Sequence, residues 1–196
     1  MSTEDIQFAT SADIPLVART LSLAFATDPI MMWVFKRPDV LEAALNILIN
    51  DQYLPYGRVI RDGTGNAAAL WMPSTSAAEP SLLSILRFTV MTLARGTCRP
   101  IVRGLPVSEK LKKIAPRGPH TYLFMIGVHP TAKGTGLGGQ ILRRGLNWAD
   151  RQRTPVYLET SKHELLAFYQ RYGFRVQEMI TPVSGSPTIW TMLREP

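Results

Sequence analysis

Residues 133 to 139 read Lys-Gly-Thr-Gly-Leu-Gly-Gly. The turn follows an apolar run, residues 121–128. It precedes a segment in which Ile141, Leu142, Gly145, Trp148 and Ala149 fall on one side of a helix. Glycines where a strand hands over to a helix let the backbone approach a ligand closely. The free N–H groups of the first helical turn then face that ligand, and the helix dipole favours an anion. Lys133 adds a positive charge at the rim. The chemistry implied is the binding of a phosphate or pyrophosphate.

Two phosphate-binding patterns can be compared with this turn directly. The Walker pattern needs Gly-Lys followed by Ser or Thr, which is absent. The dinucleotide fingerprint G-x-G-x-x-G is present as Gly134, Gly136 and Gly139. Glu159 falls near the end of the next strand, where a ribose ligand is expected. Against that reading, five residues separate the strand end from Gly134, and only 37 residues follow Glu159, too few to complete a dinucleotide-binding sheet. His120, His129 and His163 show no metal-ligand spacing, and Cys98 is the sole cysteine, so no metal is expected.

The elements that must position the turn surround it in sequence. Residues 121–128 suit a strand buried on both faces. A helix to about residue 151 and a strand at 155–160 complete a parallel crossover unit, with about 27 residues between the strands. Ser161 to Glu164 fits a capping box, opening a helix that carries Phe168, Tyr169 and Tyr172 and stops at Gly173. Strands at about 175–181 and 188–193 finish the chain. Upstream, the pattern predicts a strand at 5–10 and a helix from Ser11, as N-cap, to about 26, ended by Thr27-Asp28-Pro29. A helix at about 39–53 and a hairpin of strands 57–61 and 67–72 follow. A helix opened by Pro80-Ser81 stops at Gly96, and residues 97–119 read as a basic helix-loop segment broken by Pro and Gly.

Composition bounds the rest. Of 196 residues, 45% are apolar, enough for one core and one domain spanning 1–196. Net charge is +7, with eight Lys/Arg against one acid, Glu109, between residues 87 and 117, which suits an anionic partner. Phe88 is the one aromatic residue in that run and none is interleaved among its cations beyond Arg95, so nucleic acid is not expected. The first five residues carry acids rather than a signal peptide, and no stretch of roughly 18 apolar residues occurs. A cytoplasmic protein with no membrane partner, monomeric or homodimeric, is the expectation.

A third phosphate-binding pattern accounts for the turn together with its surroundings. Val128-His129-Pro130, then Lys133-Gly134-Thr135-Gly136-Leu137-Gly138, resembles the coenzyme A turn of the GNAT acetyltransferases. Tyr157-Leu158-Glu159-Thr160, then Phe168-Tyr169-Gln170-Arg171-Tyr172-Gly173-Phe174, is similar to that family's later strand and Tyr-bearing helix. The opening strand and helix and Trp190 resemble the puromycin N-acetyltransferase-like branch. Two positions depart from the family pattern: Lys133 stands where Gln or Arg is usual, and Leu165 where many relatives carry Asn.

The resemblance implies an α/β (α+β) fold. Its central sheet is mixed and mostly antiparallel, with six to seven strands flanked by helices around a parallel βαβ core. Residues 1–119 would form the acceptor-side half and 120–196 the acetyl-CoA-binding half. It implies acetyl-CoA as cosubstrate, its pyrophosphate on Lys133 and the backbone of Gly134, Thr135, Gly136, Leu137, Gly138 and Gly139. The pantetheine arm would pair with backbone near Ile126 and Val128. A small-molecule amine would attack the thioester directly. Tyr169 is the implied acid, since a phenol of pKa ~10 stays protonated at neutral pH and can supply the departing thiolate. The base is open between Glu159, beside the expected cleft, and His120, whose imidazole titrates near pH ~6.5; each also reads as structural. Asp28, Trp33, Phe35 and Trp71 are the expected lining of the acceptor pocket. A non-catalytic acyl-CoA sensor of the same fold and a protein N-acetyltransferase are the alternatives.

Overall fold

The computed structural model describes residues 6–76 and 79–196. Its strands are β1 (Ile6–Phe8), β2 (Arg58–Asp62), β3 (Ala67–Pro73), β4 (Thr121–Val128), β5 (Val156–Thr160), β6 (Arg175–Ile180) and β7 (Ile189–Arg194). They form one sheet in the order β1-β2-β3-β4-β5-β7-β6. Every neighbouring pair is antiparallel except β4–β5. This is the mixed, mostly antiparallel sheet with a βαβ core that was expected. A dinucleotide-binding sheet is mostly parallel, whereas only one of the six strand pairs here is, so the G-x-G-x-x-G reading fails.

The helices are α1 (Ile14–Ala24), α2 (Pro29–Phe35), α3 (Pro38–Leu48), α4 (Leu54–Tyr56), α5 (Leu82–Ala94), α6 (Arg99–Ile114), α7 (Leu137–Arg151) and α8 (Leu166–Gln170). Several local expectations need correction. Ser11 opens a 3-10 turn rather than capping it; Thr10 is the cap, in a reciprocal box with Asp13. Thr27-Asp28-Pro29 does more than end α1. The Asp28 carboxylate accepts from Met31 N–H at 2.9 Å and Pro29 takes the first helical position, so the triplet also starts α2. The basic segment after Gly96 is largely helical despite Pro106, which lies in an exposed part of α6. Ser161 does not cap the last helix; its hydroxyl donates to Asp28 at 2.9 Å instead.

Helices cover both faces of the sheet. On one face α7 packs Leu137, Ile141, Leu142, Leu146 and Ala149 onto a core with Trp71, Leu123 and Leu158. Gly145 makes that contact close: a Cβ there would collide with the Trp71 indole. On the other face α1 and α3 pack Val17, Leu21, Leu41 and Leu45 onto Leu70 and Met125. Gly127 plays the matching part on this side, because a Cβ would lie 2.7 Å from Ala24 Cβ.

Candidate active site

The site begins where β4 and β5 part. They pair from Thr121↔Val156 to Leu123↔Leu158 and no further, although β4 runs on to Val128 and β5 to Thr160. The cause lies in β4. Leu70 and Trp71 of β3 face Met125 and Leu123, so Phe124 is an extra residue in the strand. A bulge of this kind bends its strand and raises the local twist. The backbone of 124–128, which includes Ile126 and Val128, is left without a strand partner on the β5 side. The bulge also breaks the alternation of side chains. Leu123 and Ile126 pack towards α7, whereas Tyr122, Phe124 and Met125 pack towards α1 and α3.

Glu159 is the first β5 residue beyond the last β4–β5 pair. It shares a face with Tyr157, two residues earlier. The Tyr122 hydroxyl donates to Glu159 Oε2 at 2.5 Å. Tyr122 and Tyr157 rings lie 5.9 Å apart, and Tyr53 stacks on Phe124 at 5.5 Å, so aromatic rings enclose the carboxyl. The Tyr157 hydroxyl is buried without a hydrogen-bond partner. Burial pushes the Glu159 carboxyl up to about 7, with the Tyr122 hydrogen bond pulling the other way. Burial and the charge on Glu159 hold all three phenols above their ordinary range. Such a carboxyl exchanges a proton near neutrality, which suits general-base work.

His120 lies at the other end of β4 from the splay. It is buried, its Nδ1–H donates to the Gly118 carbonyl at 2.8 Å, and its ring meets Tyr157 edge-on at 5.9 Å. It reaches the Glu159 cluster only through that ring. Tyr169 projects from α8 into the α7-side core, between Phe168 at 5.2 Å and Phe174 at 5.8 Å. Burial first, and the Asp28 carboxylate second, raise its phenol and keep it protonated.

The expected acceptor lining needs correction. Asp28 is 5% exposed and spends its carboxylate on the α2 cap and Ser161. It bridges α2 to the segment after β5 rather than edging a pocket, and burial raises its carboxyl. Trp33 packs against Val107 and Leu111 of α6 under the Arg103 guanidinium, 4.5 Å from the ring centroid. Trp71 is wholly buried beneath α7. Phe35 does lie on the α1–α3 side, half-buried beside Met31 and Met32. The aromatic walls nearest Glu159 are Tyr53, Tyr122, Phe124 and Tyr157, none of them singled out in sequence. The alternation that puts Tyr157 beside Glu159 was available as a signal; the β4–β5 register that brings Tyr122 was not.

At the far end of β4 the glycine turn has the form expected. Gly134 and Gly136 have φ of 82° and 83°, and a Cβ on either would meet nothing within 4 Å. Gly136 caps α7, whose first backbone bond runs from Gln140 N–H to Gly136 O at 3.2 Å. The N–H groups of Leu137, Gly138 and Gly139 precede that bond and open the helix. Lys133 is exposed beside them. Other members of the turn do structural work. Thr135 donates its hydroxyl to the Ala132 carbonyl, and the Leu137 side chain is in the core. Gly139 makes room for the Tyr172 hydroxyl, which accepts from Arg143 at 3.1 Å. Arg143 thus stands one turn along α7, a cation overlooked in sequence.

Residues 98–174 match the model of the Acetyltransferase (GNAT) family. That segment, which holds the glycine turn and the Tyr169 helix, is similar to the GNAT acetyltransferases. An uncharacterized N-acetyltransferase of Schizosaccharomyces pombe is 26% identical over 94% of this chain and 80% of its own length. The 5-NmdU N-acetyltransferase of Pseudomonas phage PaMx11 is 37% identical over 31% of this chain and 43% of its own. Among solved structures, a histone acetyltransferase HPA2-related acetyltransferase from Corynebacterium glutamicum superposes with TM-score 0.69 at 24% identity. That superposition covers 97% of this chain and 95% of the other. The chain shares its fold with that structure. No helix among its described residues is long and apolar enough to cross a membrane.

Proposed function

We propose that this protein moves an acetyl group from acetyl-CoA to a primary or secondary amine of a small amphipathic molecule. The observation that carries the reading is the β4–β5 splay, with Glu159 at its root and the glycine turn at its far end. The turn suits the cosubstrate's pyrophosphate, for two positive-φ glycines leave open space beside a helix N-terminus where side chains would otherwise stand. The unpaired backbone of 124–128 suits the amide-bearing pantetheine arm as an added strand.

Glu159 takes the ammonium proton. The neutral nitrogen attacks the thioester carbonyl carbon, the C–N bond forms and the C–S bond breaks. Tyr169 then gives its proton to the leaving thiolate, and the proton that the attacking nitrogen sheds as the amide forms restores the phenol through solvent. Tyr53, Tyr122, Phe124 and Tyr157 form an apolar wall suited to the hydrocarbon part of the acceptor. Nearness to the puromycin N-acetyltransferase-like branch rests on Trp190 and the opening strand and helix. The test is mass spectrometry after incubation with acetyl-CoA and a library of small amines. A product 42 mass units heavier (roughly one acetyl in place of hydrogen, the balance of an amine acylation) is the expected result. Acetylation of peptide N-termini with no small amine modified would overturn the acceptor assignment.

A further inference from the structure

The outer side of α5 is apolar where a surface helix is ordinarily polar. Leu82, Leu86, Val90 and Leu93 recur at helical spacing and form one stripe, exposed by 86%, 59%, 56% and 62%. The buried residues Met91 and Thr92 seat the other side against the protein. Val102 and Leu105 of the adjoining α6, 64% and 59% exposed, extend the patch. Single exposed leucines are ordinary, but a helix apolar on every side is one that something covers.

Charge narrows what covers it. Arg99 and Arg103 turn inward and donate to the Trp33 carbonyl. Lys112 Nζ reaches Glu79 at 3.2 Å, which sets the C-terminal end of α6 beside the start of α5. Lys110 and Lys113 are exposed there and make no ion pair among the described residues. Arg87 and Arg95 flank the stripe further along, near Asp51 and Asp39. A second copy laid on this face by a two-fold axis would set these cations against their own kind. An anionic lipid surface meets both features at once. Its acyl boundary accepts the convex side of a helix without shape complementarity, and its headgroups pair with flanking cations.

We propose that α5, with the C-terminal end of α6, seats the protein on an anionic membrane surface. This revises the expectation of no membrane partner and is independent of the acceptor assignment. Co-sedimentation of the full chain with phosphatidylcholine vesicles, with and without phosphatidylglycerol, tests it. Binding is expected only where phosphatidylglycerol is present and weakens as salt is added. Leu86→Glu with Leu93→Glu abolishes it while circular dichroism and thermal midpoint hold, both residues being exposed. Lys110→Ser with Lys113→Ser weakens it about 30-fold. Failure to bind either vesicle, or equal binding to both, overturns the proposal. So does a dimer in solution that the Leu86→Glu, Leu93→Glu variant makes monomeric, for a second copy then covers the face.

Discussion

Glu159 is held between desolvation, which favours its neutral form, and the Tyr122 hydroxyl, which steadies the carboxylate. As a base it works only when ionised, so kcat/KM for a given amine is expected to rise with pH through about 7. Glu159→Gln removes that limb and lowers kcat/KM by about 10²–10⁴. The same residue carries a stability signature. Its folded pKa of about 7 exceeds the ordinary 4.5, so the folded state holds the proton more tightly. That contribution is complete below pH 4.5 and is lost as pH rises through 7. Gln stays neutral, so the variant should gain on the parent by about 2–3 kcal/mol between pH 5 and 8. Thermal midpoints at the two pH values measure it, and an unchanged gap would return Glu159 to an ordinary carboxylate. Tyr169→Phe keeps the ring packed between Phe168 and Phe174 and removes only the hydroxyl. Slower turnover, by about 10²–10⁴, with unchanged acetyl-CoA affinity is expected. Full turnover with chemistry rate-limiting would leave the tyrosine as packing.

Among elements, α7 has two tasks, and two glycines separate them. Its N-terminus opens at Gly136, whose φ of 83° strains any side chain although the space beside it is open. Gly136→Asp should lose some stability and all of the thermal shift caused by acetyl-CoA, since a carboxylate then occupies the anion's place; Gly136→Ala, with the same strain and no charge, separates the two effects. A retained shift would move the pyrophosphate elsewhere. Halfway along, Gly145 lets the helix lie on Trp71. Gly145→Val forces the indole or the helix aside and should cost about 1–3 kcal/mol of unfolding free energy in a denaturant titration. Because β4 pairs with β3 over its length, that displacement also reaches the strand bearing the splay.

On the scale of the whole molecule, one sheet is opened at its single parallel joint, with the α7 layer behind it and the α1–α3 layer in front. A ligand that fills the opening ties both layers together. At 100 times its dissociation constant, acetyl-CoA adds about 2.7 kcal/mol to the folded state. For a chain of this length that raises the thermal midpoint by about 5–10 °C. NAD should give no shift; a shift with NAD alone would remove the coenzyme A reading.

The residues of the βαβ unit were readable because their signals are local. A continuous apolar strand, glycines at a junction, a 3.6-residue stripe and a glycine stop each depend on neighbours in sequence. Gly134 and Gly136 stood out, and so did Glu159 and Tyr169, as residue types at the ends of such elements. Even some local signals stayed ambiguous. Asp28-Pro29 stops one helix and starts another with the same atoms, and Pro106 breaks a helix only where the lost backbone bond cannot be spared. What lies across the sheet was decided by tertiary structure alone. The extra residue at Phe124 exists only relative to β3, and it turns the following side chains over and parts β4 from β5. Tyr122 and Glu159 are 37 positions apart and meet only through that register. Trp71 went to the core and Asp28 to a helix cap because burial and hydrogen-bond satisfaction are settled by partners distant in sequence.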